Sequence, residues 1–69
     1  MPIYYFDLKD GIRLRDNAGI RFATDADATL HAESLAATYV TEHGPDADGY
    51  INVVHQEGRI VGRSPLLAK

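Results

Sequence analysis

Cysteine and tryptophan are absent from this 69-residue sequence. Without cysteine the chain cannot form disulfide bonds, thiolate zinc sites or iron–sulfur clusters. A chain this short buries only about 60% of the surface that its unfolded form exposes, so its core is small. Because these cross-links are excluded, we expect self-association to supply additional stability.

Long apolar segments are also missing. No run approaches the roughly 20 apolar residues of a membrane-spanning helix. Residues 1–7 lack the basic start and the long apolar stretch of a signal peptide, so we expect a cytoplasmic protein without membrane contact. Hydrophobic residues make up 45% of the chain, which favours an ordered fold, and the length predicts one domain over residues 1–69.

Positive charge is missing from the middle of the chain. No Lys or Arg lies between Arg21 and Arg59, whereas most of the Asp and Glu residues do. The net charge of −3 therefore hides two relatively basic ends around an acidic centre. A surface formed by the basic ends of one copy would be complementary in charge to the acidic centre of a second copy.

The first third of the chain predicts a β-hairpin. Apolar residues alternate in residues 3–8, which is the pattern of a strand with one apolar face. The Asp-Gly pair in residues 9–11 favours a tight turn, and the returning strand follows at residues 12–15. Residues 16–19 form a second turn, after which residues 20–22 either extend the sheet or enter the core.

The last third predicts a second hairpin. Residues 50–56 are rich in Ile and Val and form the third strand, and residues 57–58 form a tight turn. The fourth strand covers residues 59–63 and is predicted to end at residues 64–65, where a proline stands. The tail at residues 66–69 either docks or frays.

A single helix is predicted between the hairpins. Thr24 followed by Asp27 resembles a capping box, so the helix should begin at Asp25 and run for about 19 residues. The His-Gly-Pro sequence at residues 43–45 is a stop signal. At 100° per residue, one stripe of the helix carries the side chains that should face the core: Ala28, Ala32, Leu35, Ala36 and Tyr39.

Two hairpins joined by one helix predict an α+β fold of ββαββ type. In this fold a single antiparallel sheet packs one face against the helix. The opposite face of the sheet then has no cover. We expect that face to bind a ligand or a second copy of the chain.

The pattern M-P-x-Y-x-F-D-L-x-D-G in residues 1–11 resembles a family of short bacterial domains of unknown function. Its members continue with an acidic turn, an Ala-rich helix and a closing acidic-Gly-Arg turn, which residues 57–59 match. The resemblance spans almost the whole chain and implies the hairpin, helix, hairpin layout. It implies no activity and no site. His55 and the Gly62-Arg63 pair depart from the family pattern.

No residue pattern indicates catalysis or metal binding. His31 and His43 would lie about 18 Å apart along the helix, too far to share an ion. The carboxylates at the helix ends suit capping, neither serine stands in a nucleophile motif, and the glycines are isolated in turns. We therefore expect that the protein is not an enzyme and has no catalytic residue and no cofactor. We also expect that none of the three histidines, including His55, binds a metal.

The candidate interaction surface is the uncovered face of the sheet. Two arginines are predicted to share one face of the second strand, and two others to share one face of the fourth, opposite the apolar alternation in each case. A tyrosine of the first strand lies nearby. The surface is therefore predicted to be basic, and its candidate residues are Tyr5, Arg13, Arg15, Arg59 and Arg63.

Two functions are compatible with such a surface. The leading hypothesis is an interaction module that forms a homodimer through the sheet face or an edge strand, which would enlarge a small core. The alternative is a nucleic-acid-binding accessory protein whose Arg and Tyr side chains hold phosphates and stack bases. The net charge of −3 makes nucleic acid the less favoured partner, because it provides little attraction to phosphate.

Overall fold

A computed structural model describes residues 1–10, 12–43 and 49–66, with the side chains of all of these except residues 12, 13 and 43. Its elements are β1 (Ile3–Asp10), β2 (Ile12–Leu14), β3 (Ile20–Arg21), α1 (Asp25–His43), β4 (Tyr50–His55) and β5 (Ile60–Pro65). The strands form one antiparallel sheet in the order β2-β1-β4-β5, and the short β3 also pairs with β1. The predicted α+β fold of ββαββ type is confirmed.

The core lies between α1 and one face of the sheet. Strands β1 and β4 pair along most of their length, with Phe6 opposite Val53 and Leu8 opposite Ile51. Alternate residues of both strands are apolar and face the helix, so this side of the sheet excludes water. The buried apolar residues are Tyr4, Phe6, Ala28, Ala32, Ala36, Ile51, Val53 and Leu66.

Helix α1 begins at Asp25 and ends at His43, as predicted. The Asp27 N–H donates a hydrogen bond to Thr24 Oγ1 at 3.1 Å, which is one half of the predicted capping box. The predicted core stripe is confirmed, because its three alanines are buried and its other two members pack against the core. The rest of the predicted stop signal, residues 44–45, lies outside the described residues.

The outer edge of β1 is shared by β2 and β3, which are separated by a loop at residues 15–19. The Asp16 side chain fills the gap between them, because its Oδ2 accepts a hydrogen bond from the Phe6 N–H at 3.2 Å. Both alternatives predicted for residues 20–22 occur. Strand β3 extends the sheet, and the Phe22 ring packs on Phe6 with a centroid distance of 6.0 Å.

Strand β5 runs further than predicted. The sequence indicated a stop at Ser64 and Pro65, but both residues belong to the strand. Because β5 is an edge strand, the missing N–H of Pro65 leaves no ladder hydrogen bond unmade. The Leu66 N–H continues the pairing by donating to the Gly49 carbonyl at 2.9 Å, and its side chain is buried. Leu66 therefore docks, whereas residues 67–69 lie outside the described part.

Two tyrosine hydroxyls tie the helix to the rest of the domain. The Tyr4 hydroxyl donates to Asp25 Oδ1 at 2.5 Å, and the Tyr39 hydroxyl donates to Asp10 Oδ2 at 2.6 Å. These hydrogen bonds to carboxylates raise the pKa of both phenols above the ordinary value, and burial of the rings adds to the rise. The folded state therefore favours the protonated phenols.

Stability should fall at alkaline pH for this reason. The folded state holds these protons more tightly than the unfolded chain, so the contribution is complete below about pH 10 and is lost as pH rises through the folded pKa. We expect the free energy of unfolding, measured by urea titration, to decrease above about pH 10. The decrease should be smaller in the Tyr4→Phe/Tyr39→Phe double variant. If the variant and the wild type lose the same free energy, the decrease comes from other titrating groups.

Candidate interaction surface

The face of the sheet opposite α1, here called the open face, is covered by no described element. Residues that lie directly opposite each other in a sheet share a face. The register therefore places the central residues of the open face in two rows that cross β1, β4 and β5. The apolar row consists of Tyr5, Val54 and Ile60. The polar row consists of Asp7, Asn52 and Arg63.

The apolar row is accessible to solvent. Ile60 is 57% exposed, and Tyr5 and Val54 are half-buried. A shallow groove of about 410 Å³ lies over the row and is also lined by residues 15–17 and by Gly58 of the β4–β5 turn. The open face thus presents an apolar floor with polar surroundings.

The loop at residues 15–19 is held against the open face. The Asp16 carboxylate accepts three backbone N–H hydrogen bonds, from Phe6 at 3.2 Å, Ala18 at 3.0 Å and Gly19 at 3.2 Å. Gly19 has a φ of 74°, and a Cβ at this position would lie 2.9 Å from Tyr5 Cε1, so the loop approaches the ring as only glycine can. This anchoring keeps Arg15 at the groove.

Arg63 is the cation of the polar row. Its Nε donates to Asn52 Oδ1 at 2.9 Å, and its guanidinium carbon lies 4.1 Å from the centroid of the Tyr50 ring. The stacking holds the guanidinium along the surface of the sheet. Within the described residues, Arg63 forms no ion pair with a carboxylate.

Arg59 lies outside the open face, so the prediction that it shares a face with Arg63 is wrong. The Arg59 carbonyl accepts a hydrogen bond from the His55 N–H at 2.8 Å. His55 faces the core, where its ring packs edge-on against Tyr4. As the cross-strand partner of His55, Arg59 lies on the helix side of the sheet, and its guanidinium is 3.7 Å from the Glu57 carboxylate.

A β-bulge in β5 explains this error. Val54 lies opposite Ile60, but Val53 lies opposite Gly62, so β5 contains one extra residue at Val61. An extra residue moves every following side chain to the other face. Simple alternation therefore cannot be carried along the whole strand.

The other predicted surface residues are brought together in part. Tyr5 and Arg15 both line the groove, although Arg15 follows the end of β2 and reaches the groove from the loop. The backbone of Arg13 pairs with Lys9, and the Arg13 side chain lies outside the described part of the chain. Arg63 belongs to the neighbouring polar row.

Four residues of the apolar and polar rows were not among the candidates from the sequence: Asp7, Asn52, Val54 and Ile60. Alternation from Tyr5 would have found Asp7, and alternation along the third predicted strand would have placed Asn52 and Val54 on one face. No such signal exists for Ile60, because its face depends on the bulge.

The chain matches a family model over residues 3–68, described as Domain of unknown function (DUF6894). The chain belongs to this family. The resemblance to a small family of unknown function is thereby confirmed. No significant match was found among curated proteins or among solved structures. The function of this DUF6894 domain must therefore be argued from its surface.

The open face of the DUF6894 domain carries both signs of charge. Arg15 and Arg63 lie there, but so do the carboxylates of Asp7 and Asp16, and Arg59 does not contribute. By the register, Lys9 and Arg21 also lie on this face, so it carries a mixture of charges rather than the uniformly basic surface that was predicted. Phosphate binding loses one of its expected cations.

Two histidines of the DUF6894 domain, His31 and His55, are packed among other side chains. The His31 ring lies 5.1 Å from Phe6 and 5.3 Å from Phe22, and His55 Nδ1 accepts a hydrogen bond from the Glu57 N–H at 3.1 Å. In the described ranges, no three His, Cys, Asp or Glu residues are placed to hold a metal ion. No helix there has the length and hydrophobicity needed to cross a membrane.

Proposed function

We propose that this DUF6894 protein is a non-enzymatic interaction module that self-associates through its open face. One observation carries the proposal: an apolar row, exposed at Ile60 and half-buried at Tyr5 and Val54, crosses three strands on the face of the sheet opposite the helix. A contiguous apolar surface surrounded by polar residues is typical of a protein contact. A second copy would bury this row and extend a small core.

The size of the open face indicates a weak dimer. Three strands about 4.8 Å apart and six residues long, at about 3.4 Å per residue, span a surface of only about 14 by 20 Å. That is about 280 Å² per copy and about 560 Å² in both partners, below the roughly 1,200 Å² at which stable specific interfaces begin and in the range of weak, transient contacts. We therefore expect a monomer–dimer equilibrium that depends on protein concentration.

The open face is a better contact than the free edge of β5. The Leu66 N–H donates to the Gly49 carbonyl, and the alternation of an antiparallel ladder then directs the nitrogens of Pro65 and Arg63 away from β4. Pro65 has no N–H, so a strand added at this edge would lack a hydrogen bond there. Edge pairing is correspondingly disfavoured.

The absence of catalysis and the cytoplasmic location remain parts of this proposal. The groove is shallow and open, so it would expel little water from a bound substrate. A catalytic site usually needs a more enclosed pocket. A cysteine-free chain also fits a reducing compartment.

The proposal is tested by Ile60→Asp, with Leu30→Asp as the matched control. Ile60 is 57% exposed on the open face, and Leu30 is 62% exposed on α1, so both changes replace an exposed apolar side chain by a charge. Light scattering behind a sizing column should show a concentration-dependent dimer for the wild type and for Leu30→Asp. For Ile60→Asp, we expect the dimer dissociation constant to rise at least about tenfold.

A wild-type monomer at every concentration would contradict self-association. Titration with a single-stranded oligonucleotide at low and high salt then tests the nucleic-acid alternative, which requires affinity that falls steeply with salt. Equal effects of Ile60→Asp and Leu30→Asp on the dimer would show that the contact lies elsewhere.

A further inference from the structure

The open face has a pattern that is complementary to itself. The polar row runs from Asp7 on β1 through Asn52 on β4 to Arg63 on β5, so it carries a carboxylate at one end and a guanidinium at the other. The apolar row lies beside it and crosses the same three strands. A surface with this pattern matches a second copy in some orientations and not in others.

We propose that two copies of this chain pack open face to open face about a two-fold axis nearly parallel to β4. This inference rests on the proposed self-association and specifies its geometry. Rotation about this axis brings β1 of each copy over β5 of the other and leaves β4 over β4. Asp7 then faces Arg63 of the second copy at two equivalent contacts, and the two apolar rows face each other.

The other two-fold axis in the plane between the sheets, perpendicular to the strands, gives a poorer match. It would place each strand over the same strand of the second copy. With the axis at the polar row, Asp7 would face Asp7 and Arg63 would face Arg63, and such contacts between like charges are repulsive. The apolar row would lie over the strand ends that carry Lys9 and Tyr50. Moved to the apolar row, the perpendicular axis would let the apolar residues face each other but would give Asp7 and Arg63 no opposite charge. Of these arrangements, the axis along β4 is the one that brings the apolar rows together and also joins Asp7 to Arg63.

The two charged residues are already oriented in the single copy. Asn52 and the Tyr50 ring hold the Arg63 guanidinium, which has no carboxylate partner among the described residues. The Asp7 carboxylate accepts a hydrogen bond from the Asp16 N–H at 3.1 Å. Side chains that are held in place lose less conformational entropy when they bind.

The same axis also accounts for the free edge of β5. The loop at residues 15–19 lies beyond the outer side of β1, and the rotation exchanges the outer side of β1 with that of β5. The loop of each copy would therefore lie beside the β5 edge of the other. This arrangement covers an edge that would otherwise offer unpaired backbone groups to other chains.

Two charge-reversal variants test the geometry. In a homodimer of Asp7→Arg both contacts join two cations, and in a homodimer of Arg63→Asp both join two anions. Each change should raise the dimer dissociation constant at least about tenfold. In an equimolar mixture of the two variants opposite charges meet at both contacts. Light scattering should therefore show a heterodimer with a dissociation constant within about threefold of the wild-type value.

Milder variants keep the test valid if Asp7→Arg does not fold. Asp7→Asn retains an oxygen that can accept the Asp16 N–H, and it is measured together with Arg63→Gln and the double variant. The geometry requires coupling, so the double variant should lose less affinity than the sum of the two single losses. Circular dichroism checks the fold of each variant.

The outcomes separate this inference from the proposed function. One outcome is that Ile60→Asp weakens the dimer, but the mixture shows no rescue and the mild variants show no coupling. This result would overturn the proposed geometry and leave self-association through the open face in place. A wild-type protein that is monomeric at every concentration would overturn both. Rescue in the mixture supports both.

Discussion

Gly49→Ala should lower the free energy of unfolding by more than about 3 kcal/mol, as expected when a substitution combines backbone strain with a backbone clash. Gly49 has a φ of 153°, and a Cβ at this position would lie 1.7 Å from the Lys9 carbonyl oxygen and 2.8 Å from its carbonyl carbon. Both are backbone atoms of β1, so β1 and β4 would have to separate. Such a loss would consume much of the net stability of a small domain.

The control for this change is Gly58→Ala in the β4–β5 turn. Gly58 has a φ of 96°, but a Cβ there would meet no atom within 4 Å. Its cost is therefore limited to the backbone conformation, about 1–2 kcal/mol. Urea unfolding followed by circular dichroism measures both losses. Similar losses at the two positions would contradict the close approach of β4 to Lys9.

Asp16→Ala should cost about 2–3 kcal/mol of unfolding free energy, because hydrogen bonds to charged groups are worth more than neutral ones. The Asp16 carboxylate is the acceptor for the N–H groups of Phe6, Ala18 and Gly19. It joins the loop to the outer edge of β1, in the gap between the segments that pair with β2 and with β3. Its removal should also weaken dimerisation, since the loop borders the open face.

Asp16→Asn and Asn17→Ala refine this prediction. Asparagine keeps one acceptor oxygen, enough for the two hydrogen bonds within the loop, but places an amide group opposite the Phe6 N–H, so its loss should be intermediate. Asn17 is the exposed neighbour, and its replacement should change stability little. Urea unfolding gives the free energies, and hydrogen exchange at the Phe6 amide reports the local contact. An Asp16→Ala variant as stable as Asn17→Ala would contradict this role.

Local signals were sufficient for the order of the elements and for the helix. Both ends of α1 follow from residues within one turn of each end, and its buried stripe follows from the helical repeat. The acidic turn at residues 16–19 was also visible. Its main partner was not, because the Phe6 N–H lies ten residues earlier in the chain.

The membership of the open face could be predicted only where alternation is unbroken. Tyr5 was placed correctly, and the same rule would have yielded Asp7 and Asn52. Arg59 was misplaced because the bulge between it and Arg63 exchanges the two faces of β5. On the open face the bulge therefore puts the apolar side chain of Ile60 where a cation, Arg59, was predicted.

The features that the sequence predicted and those that it did not differ in how far apart the interacting residues lie along the chain. Turns, caps and helical stripes depend on residues a few positions apart, so the amino-acid pattern is enough to locate them. The bulge, the insertion of Asp16 at the edge of β1 and the pairing of Arg63 with Asn52 depend on how β1, β4 and β5 lie against one another. Those contacts exist only when the sheet is assembled, and they decide which side chains the open face presents.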